Sequence, residues 1–199
     1  MSNLKEITHY DREGSFFNLK WEARPYIPPT WTPYISQAEA IDKLITEFDK
    51  KGNTSGLFYG PAGIGKSNIP LLLARKLMET CKKVSYVDTF NPTDPNDSFS
   101  TLYTRVNPSK DKPMIVVLEE VDIIIMELHQ KEIKRHDNLN IQIKNKTDWN
   151  KWFDRFDRNM YQGVFLIMTS NKSIEWFNDM DMSYFRDGRV NIKQEIQAN

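Results

Sequence analysis

The sequence predicts an α/β fold: a parallel β-sheet with helices on both faces. Two observations carry this. The runs SGLFYG (55–60), MIVVL (114–118) and VFLIM (164–168) are continuously apolar, as strands buried on both sides are and strands with a wet face are not. Helix-like stretches separate them, which is the spacing that parallel crossovers require. A chain of 199 residues has room for one such domain and a small appendage.

Taken in order, residues 1–34 are rich in aromatics and proline, with Trp21, Pro25, Pro28, Pro29, Trp31 and Pro33. They predict an irregular lead-in with at most one short strand, lying on the surface of a core domain at 35–199. From Ser36, the segment SQAEAIDKLITEFDK sets Ala40, Ile41, Leu44, Ile45 and Phe48 at helical spacing behind a Ser cap, and Gly52 and Asn53 end it. Strands are expected at 55–60, 83–89, 114–121, 163–171 and 189–196, and further helices at 66–80, 97–106 and 148–159. Residues 122–148 turn polar and charged and are expected to form a partly mobile loop. In the last helix Trp149, Trp152, Phe153 and Phe156 recur at i, i+3, i+4 and i+7. Such a stripe can stack nucleobases, but core packing is its commoner use, and the same holds for Phe90 and Phe99 as pore-lining or buried rings.

Composition excludes several classes. Lys and Arg number 27, as do Asp and Glu, so no net field favours nucleic acid or anionic lipid, although a local basic strip stays open. The apolar runs are far shorter than the roughly 20 residues that span a bilayer. The opening MSNLKEITHYDREG lacks the apolar core of a signal peptide. Cys81 stands alone, which removes disulfide frameworks and cysteine-bound zinc and points to a soluble protein in a reducing, intracellular setting. His9, His129 and His136 share no metal spacing.

The chemistry concentrates in four places. Gly60, Pro61, Ala62, Gly63, Ile64, Gly65, Lys66 and Ser67 spell GPAGIGKS, a match to GxxxxGK[ST] between an expected strand and an expected helix. Gly60, Gly63 and Gly65 permit backbone angles that turn successive amides inward around phosphate oxygens, and the helix start behind them adds about half a positive charge. Lys66 would reach the β and γ phosphates of ATP, and the Ser67 hydroxyl would ligate Mg2+. Pro70 is a misfit in that helix, costing up to about 3 kcal/mol in a helix interior; it predicts a bent or loosened first turn.

The strand at 114–121 ends in Glu119 and Glu120. Adjacent strand residues point to opposite sides, which assigns Glu119 to the magnesium shell and Glu120 as general base for an attacking water. The strand at 163–171 ends in Asn171, placed either to hold that water or to cap the segment after it. Arg186 and Arg189 flank the turn FRDGRV. They are either surface charge or arginine fingers reaching a neighbouring subunit's site, and spacing leaves both open.

These four elements in this order resemble the AAA ATPases. LEEVD is similar to the LEDVD of the mitochondrial Bcs-type chaperone branch, as are NDSFSTLYTRVNPSKDKPMIVVLEEVD, WNKWFDRFDRNMYQGVFLIMTSN and YFRDGRVNIKQ to its corresponding segments. The resemblance spans about residues 36–196. It implies a P-loop NTPase three-layer sandwich with a five-stranded parallel sheet of order 5-1-4-3-2, magnesium-dependent ATP hydrolysis, and a homo-oligomeric ring in which Arg186 and Arg189 act in trans, as in a remodelling or chaperone-like motor. Three departures stand out: the chain ends after the fifth strand, without the C-terminal helical lid; no apolar anchor helix is present; and TFNPTDPND lacks an aromatic-glycine pore motif, which argues against peptide threading. The client, protein or nucleic acid, is not indicated. A replication helicase of superfamily 3 type and a nucleotide-gated module without hydrolysis are the alternative readings.

Overall fold

The computed structural model describes residues 6–130, 133–134 and 136–198, and in it the apolar runs become the parallel centre of a seven-stranded sheet. Strands β1 (Ile7–Glu13) and β2 (Lys20–Tyr26) come from the lead-in. The others are β3 (Thr54–Tyr59), β4 (Ser85–Val87), β5 (Met114–Leu118), β6 (Val164–Ser170) and β7 (Ile192–Glu195). The order across the sheet is β2-β1-β4-β5-β6-β3-β7. All neighbours are parallel except the β1–β2 hairpin.

Alternate residues of the central strands feed two cores, one on each face. Phe58, Ile115, Val117, Phe165 and Ile167 pack under α1 (Ile35–Lys51) and α2 (Ile69–Leu77). Leu57, Val116, Leu118, Leu166 and Met168 pack under α3 (Phe99–Val106), α4 (Val121–Gln130), α5 (Lys146–Asp157) and α6 (Ile174–Asp181). Every residue of β5 and β6 is buried, which is why β5 and residues 164–168 of β6 read as unbroken apolar text. The stripe Trp149, Trp152, Phe153 and Phe156 is buried in the second core together with Phe90 and Phe99, so it packs and offers no open stacking platform.

Four local expectations change. The sheet has seven strands, not five, because the lead-in is not irregular: Ile7, Tyr10 and Trp21 are buried, and β1 docks on β4 with Thr8 N–H donating to Val84 O at 2.9 Å. Among the described residues of the lead-in from Ile7 onward, those outside the strands are the hairpin turn at 14–19 and the stretch 27–34, where Pro28, Pro29 and Pro33 supply no amide donors. Helix α1 starts at Ile35 with Tyr34 as its N-cap rather than behind Ser36. There Gln37 Oε1 accepts the Tyr34 N–H at 2.8 Å, relieving one of the orphan donors of a helix start.

The segment expected as a mobile loop begins with α4, whose Val121, Ile125 and Leu128 fall at i, i+4 and i+7 and are buried. Further on, Ile143 N–H donates to Pro92 O at 2.9 Å and Asn96 N–H to Asn140 O at 2.7 Å, so residues 140–143 are tied to 92–96. Residues 131, 132 and 135 of that segment lie outside the described residues. Helix α6, only eight residues long, carried no expectation. No helix among the described residues is long and apolar enough to cross a membrane.

Pro70 is accommodated as a loosened helix start. Lys66–Asn68 form one 3₁₀ turn, and α2 begins at Ile69 with Pro70 in its first turn. The Lys66 carbonyl, which an α-helical Pro70 amide would have to reach, is taken instead by the Ile69 N–H.

Candidate functional site

Parallel strands end together, so β3, β5 and β6 deliver their following residues to one edge of the sheet. A cleft of about 600 Å³ opens there, bordered by Gly63, Lys66, Ser67, Glu119, Glu120 and Asn171. The turn after β3 is held by Gly60 N–H donating to Ser170 O at 3.3 Å. Gly63 and Gly65 have φ of 79° and 86°, a region costly to residues with a Cβ. Gly65 is constrained twice, because a Cβ there would stand 2.7 Å from Gln37 Nε2. That amide donates to Gly65 O at 2.8 Å. Gln37, 2% exposed, thus pins the glycine loop to α1, a role that its place in an amphipathic pattern did not signal.

Lys66 is the buried cation of the cleft, 7% exposed. Its Nζ donates to Gly60 O at 2.9 Å, Pro61 O at 2.7 Å and Asn171 Oδ1 at 3.0 Å. Burial lowers its pKa, while Glu119, then Asp122 and Glu120, oppose that shift. Ala62 is exposed at the cleft wall, and Ile64 packs its side chain against the α1/α2 core.

The two carboxylates lie in the cleft by a different device from strand alternation. β5 ends at Leu118, and Glu120 has φ 50°, the left-handed region. In a residue with a side chain this costs on the order of 1 kcal/mol and is held only where its surroundings insist on it. Here Thr169 Oγ1 accepts the Glu120 N–H at 3.1 Å and donates to Glu119 Oε2. Ser67 Oγ donates to the same Glu119 oxygen at 3.1 Å. Glu120 Oε1 accepts from Asn171 Nδ2 at 3.3 Å, and Asn171 N–H donates to Asp122 Oδ1 at 3.2 Å. Asn171 is therefore the joint between Lys66 and Glu120. Thr169 and Asp122, both buried, were not singled out in the sequence; their only signal was adjacency to the acidic and Asn-bearing strand ends.

Two hard oxygen donors, Ser67 Oγ and Glu119 Oε2, face one another at the loop end of the cleft. Among the described residues no group of three or more His, Cys, Asp or Glu could hold a metal alone. This donor set fits Mg2+, which takes one or two protein oxygens and completes its shell with water and phosphate.

Arg186 and Arg189 do not line the cleft. Both bind Asp154 Oδ1 on α5, Arg186 through Nη2 at 3.1 Å and Arg189 through Nε at 2.7 Å. Their exposures separate them: the Arg189 side chain is 8% exposed and that of Arg186 47%. One is part of the packed interior and the other faces solvent.

The family model for the ATPase family associated with various cellular activities (AAA) matches residues 56–198. No curated protein matches the sequence significantly. Among solved structures, the ORC2 protein of Aeropyrum pernix in its ADPNP–ADP complexes superposes with a TM-score of 0.56 at 12% identity, covering 86% of this chain and 49% of that one. The Aeropyrum pernix ORC1 protein in complex with DNA gives 0.53 at 15% identity, covering 86% and 47%, and C. elegans PCH-2 gives 0.50 at 12% identity, covering 81% and 42%. At such identities the likeness is one of fold. The chain spans about half the length of these three structures, or less.

Proposed function

Because this chain belongs to the AAA family of ATPases, we propose that its cleft binds ATP with Mg2+ and hydrolyses the γ phosphate within a homo-oligomeric assembly. The observation that carries the reading is the meeting of the glycine loop with the strand-end residues at one sheet edge, Ser67 hydrogen-bonded to Glu119, and Lys66 to Asn171, which in turn bonds Glu120. The amides of Ala62, Gly63, Ile64 and Gly65 and the Lys66 ammonium bind the phosphates. Ser67 and Glu119 hold the cation, which when bound neutralises phosphate charge. Glu120 takes the proton of the attacking water, and Asn171, already hydrogen-bonded to that carboxylate, orients the water against it. Arg186, exposed and bound only at its tip, is the better placed of the two arginines to reach a neighbouring copy.

The finer reading is a remodelling or chaperone-like motor related to the Bcs-type branch; what supports it is the similarity of LEEVD, WNKWFDRFDRNMYQGVFLIMTSN and YFRDGRVNIKQ to that branch's text. ATPase assays across protein concentration, with and without single-stranded nucleic acid, test the assembly and separate this motor from a helicase, whose stimulation by nucleic acid falls steeply with salt. For the site itself the test is Glu120→Gln. Removing only the base should keep ATP affinity within about threefold and lower turnover by about 10²-fold or more. Equal losses of binding and turnover would remove Glu120 from that role.

A further inference from the structure

The two glutamates of the cleft share one buried hydroxyl, Glu119 through its carboxylate and Glu120 through its backbone amide. In the β5–β6 ladder the last paired residues are Leu118 and Met168, so the next step of the register would set Thr169 opposite Glu119. The ladder does not continue: the backbone turns at Glu119 and Glu120, and the Glu120 amide has no strand to bond. Thr169 Oγ1 stands in for that strand by accepting the Glu120 N–H at 3.1 Å. A threonine hydroxyl has a single proton, and this one is donated to Glu119 Oε2. Thr169 is 1% exposed, so both bonds are made at the floor of the cleft, away from bulk solvent.

We propose that Thr169 is the positioning residue that couples the two halves of the site. Through its proton it turns the Glu119 carboxylate toward Ser67, the cation side. Through its lone pair it fixes the left-handed turn at Glu120 that sends the second carboxylate to Asn171, the water side. The inference rests on the ATPase reading above and adds to it a residue that acts through Glu119 and Glu120. Each bond has a separable consequence. Loss of the first frees Glu119 to swing from Ser67 and weakens cation binding. Loss of the second lets residue 120 leave a costly backbone conformation and withdraws its carboxylate from Asn171. The glycine loop and Lys66, which make no bond to Thr169, keep their hold on phosphate.

The test compares Thr169→Val, which keeps the shape and removes the hydroxyl, with Thr169→Ser, which keeps the hydroxyl and removes a methyl. Binding of a non-hydrolysable ATP analogue is titrated in EDTA and then against MgCl2, and steady-state turnover is measured beside it. For Thr169→Val, binding in EDTA should stay within about twofold of wild type. The Mg2+ concentration for half-maximal enhancement should rise about tenfold, and kcat should fall about 10- to 100-fold with KM for ATP moving less than about threefold, as losses of supporting and orienting contacts do. Thr169→Ser should return all of these to within about threefold. If the valine variant does not fold, Thr169→Cys, similar in size and a weak hydrogen-bonding partner, takes its place with the same expectations. Unchanged Mg2+ dependence and kcat in the valine or cysteine variant overturns the proposal, and so does a serine variant that falls as far as valine, since packing rather than the hydroxyl would then be at work. Wild-type protein whose nucleotide binding ignores both Mg2+ and Lys66→Ala overturns the ATPase reading and this inference with it. Mg2+-dependent wild-type binding that the valine variant retains overturns only the inference.

Discussion

Arg189→Ala and Arg186→Ala should separate sharply, although the sequence presents the two arginines as a pair. Arg189 is 8% exposed along its side chain, and its Nε donates to Asp154 Oδ1 at 2.7 Å. It also donates through Nη1 to the Ser183 carbonyl. Removing it forfeits two charge-assisted hydrogen bonds in a largely dry setting, at roughly 1.5–3 kcal/mol each. Asp154 is 26% exposed and regains some water, so a net loss of about 3 kcal/mol is expected. For a domain of this size that lowers Tm by about 6–12 °C. Arg186 is 47% exposed and its single bond to the same carboxylate is screened, which puts its loss at no more than about 1 kcal/mol and below about 4 °C. Melting followed by tryptophan fluorescence at low protein concentration, where assembly contributes nothing, gives both numbers. The pH dependence adds a sign. Asp154 is held below the usual carboxylate range, by Arg189 first and Arg186 second, so this stabilisation is present above about pH 4 and is lost as pH falls through the depressed value. The gap between wild type and Arg189→Ala should therefore narrow in acid. Equal Tm losses from the two substitutions, or none from Arg189→Ala, would refute the division of labour and return both residues to the same role.

Two further outcomes follow from positions away from the cleft. Burial pushes the Asp97 carboxyl up to about 6, against the pull of the Asn91 amide and Arg12, and one of its oxygens, Oδ1, has no hydrogen-bond partner. The folded state then binds more protons than the unfolded chain between about pH 4 and pH 6, so stability should fall across that window by up to about 3 kcal/mol; urea titrations should show the slope flattened in Asp97→Asn, and an unchanged slope would clear Asp97 of it. Pro70→Ala should shift stability by less than about 1 kcal/mol, because Pro70 stands in the first turn of α2, where its amide would be an orphan; a loss near 3 kcal/mol would show that the ring is itself a required part of the turn.

What the sequence disclosed, and what it hid, follows from how far each feature depends on distant residues. β5 and the first five residues of β6 were legible because both of their faces are buried and filled by apolar side chains. GPAGIGKS was legible because phosphate chemistry restricts adjacent residues. The β1–β2 hairpin was not: ITHYDRE and KWEARPY need only Ile7, Tyr10 and Trp21 inside, too sparse a pattern to stand out from a proline-rich lead-in. α4 was missed because its apolar positions follow the acidic strand end without a break. The carboxylates were found, but the geometry inferred for them was wrong: nothing in LEEVD announces a left-handed glutamate, and the hydroxyl that holds it comes from a strand 49 positions away. The burial of Arg189 likewise depends on Asp154 in another helix.

The hairpin has one more consequence. Without it, β4 would end the sheet, and β4 is three buried residues with no charge, an open row of amides and carbonyls inviting another chain to add itself. With it, the outermost strand is β2, where Lys20, Glu22 and Arg24 alternate with Trp21 and Ala23 and are followed by Pro25. Arg24 pairs with Glu13, and Lys20 with Glu22. A strand arriving at that border would have to strip solvated charge and meet a proline with no hydrogen to give. The lead-in is thus a hem on one side of the fabric: it discourages another strand from adding beyond β2.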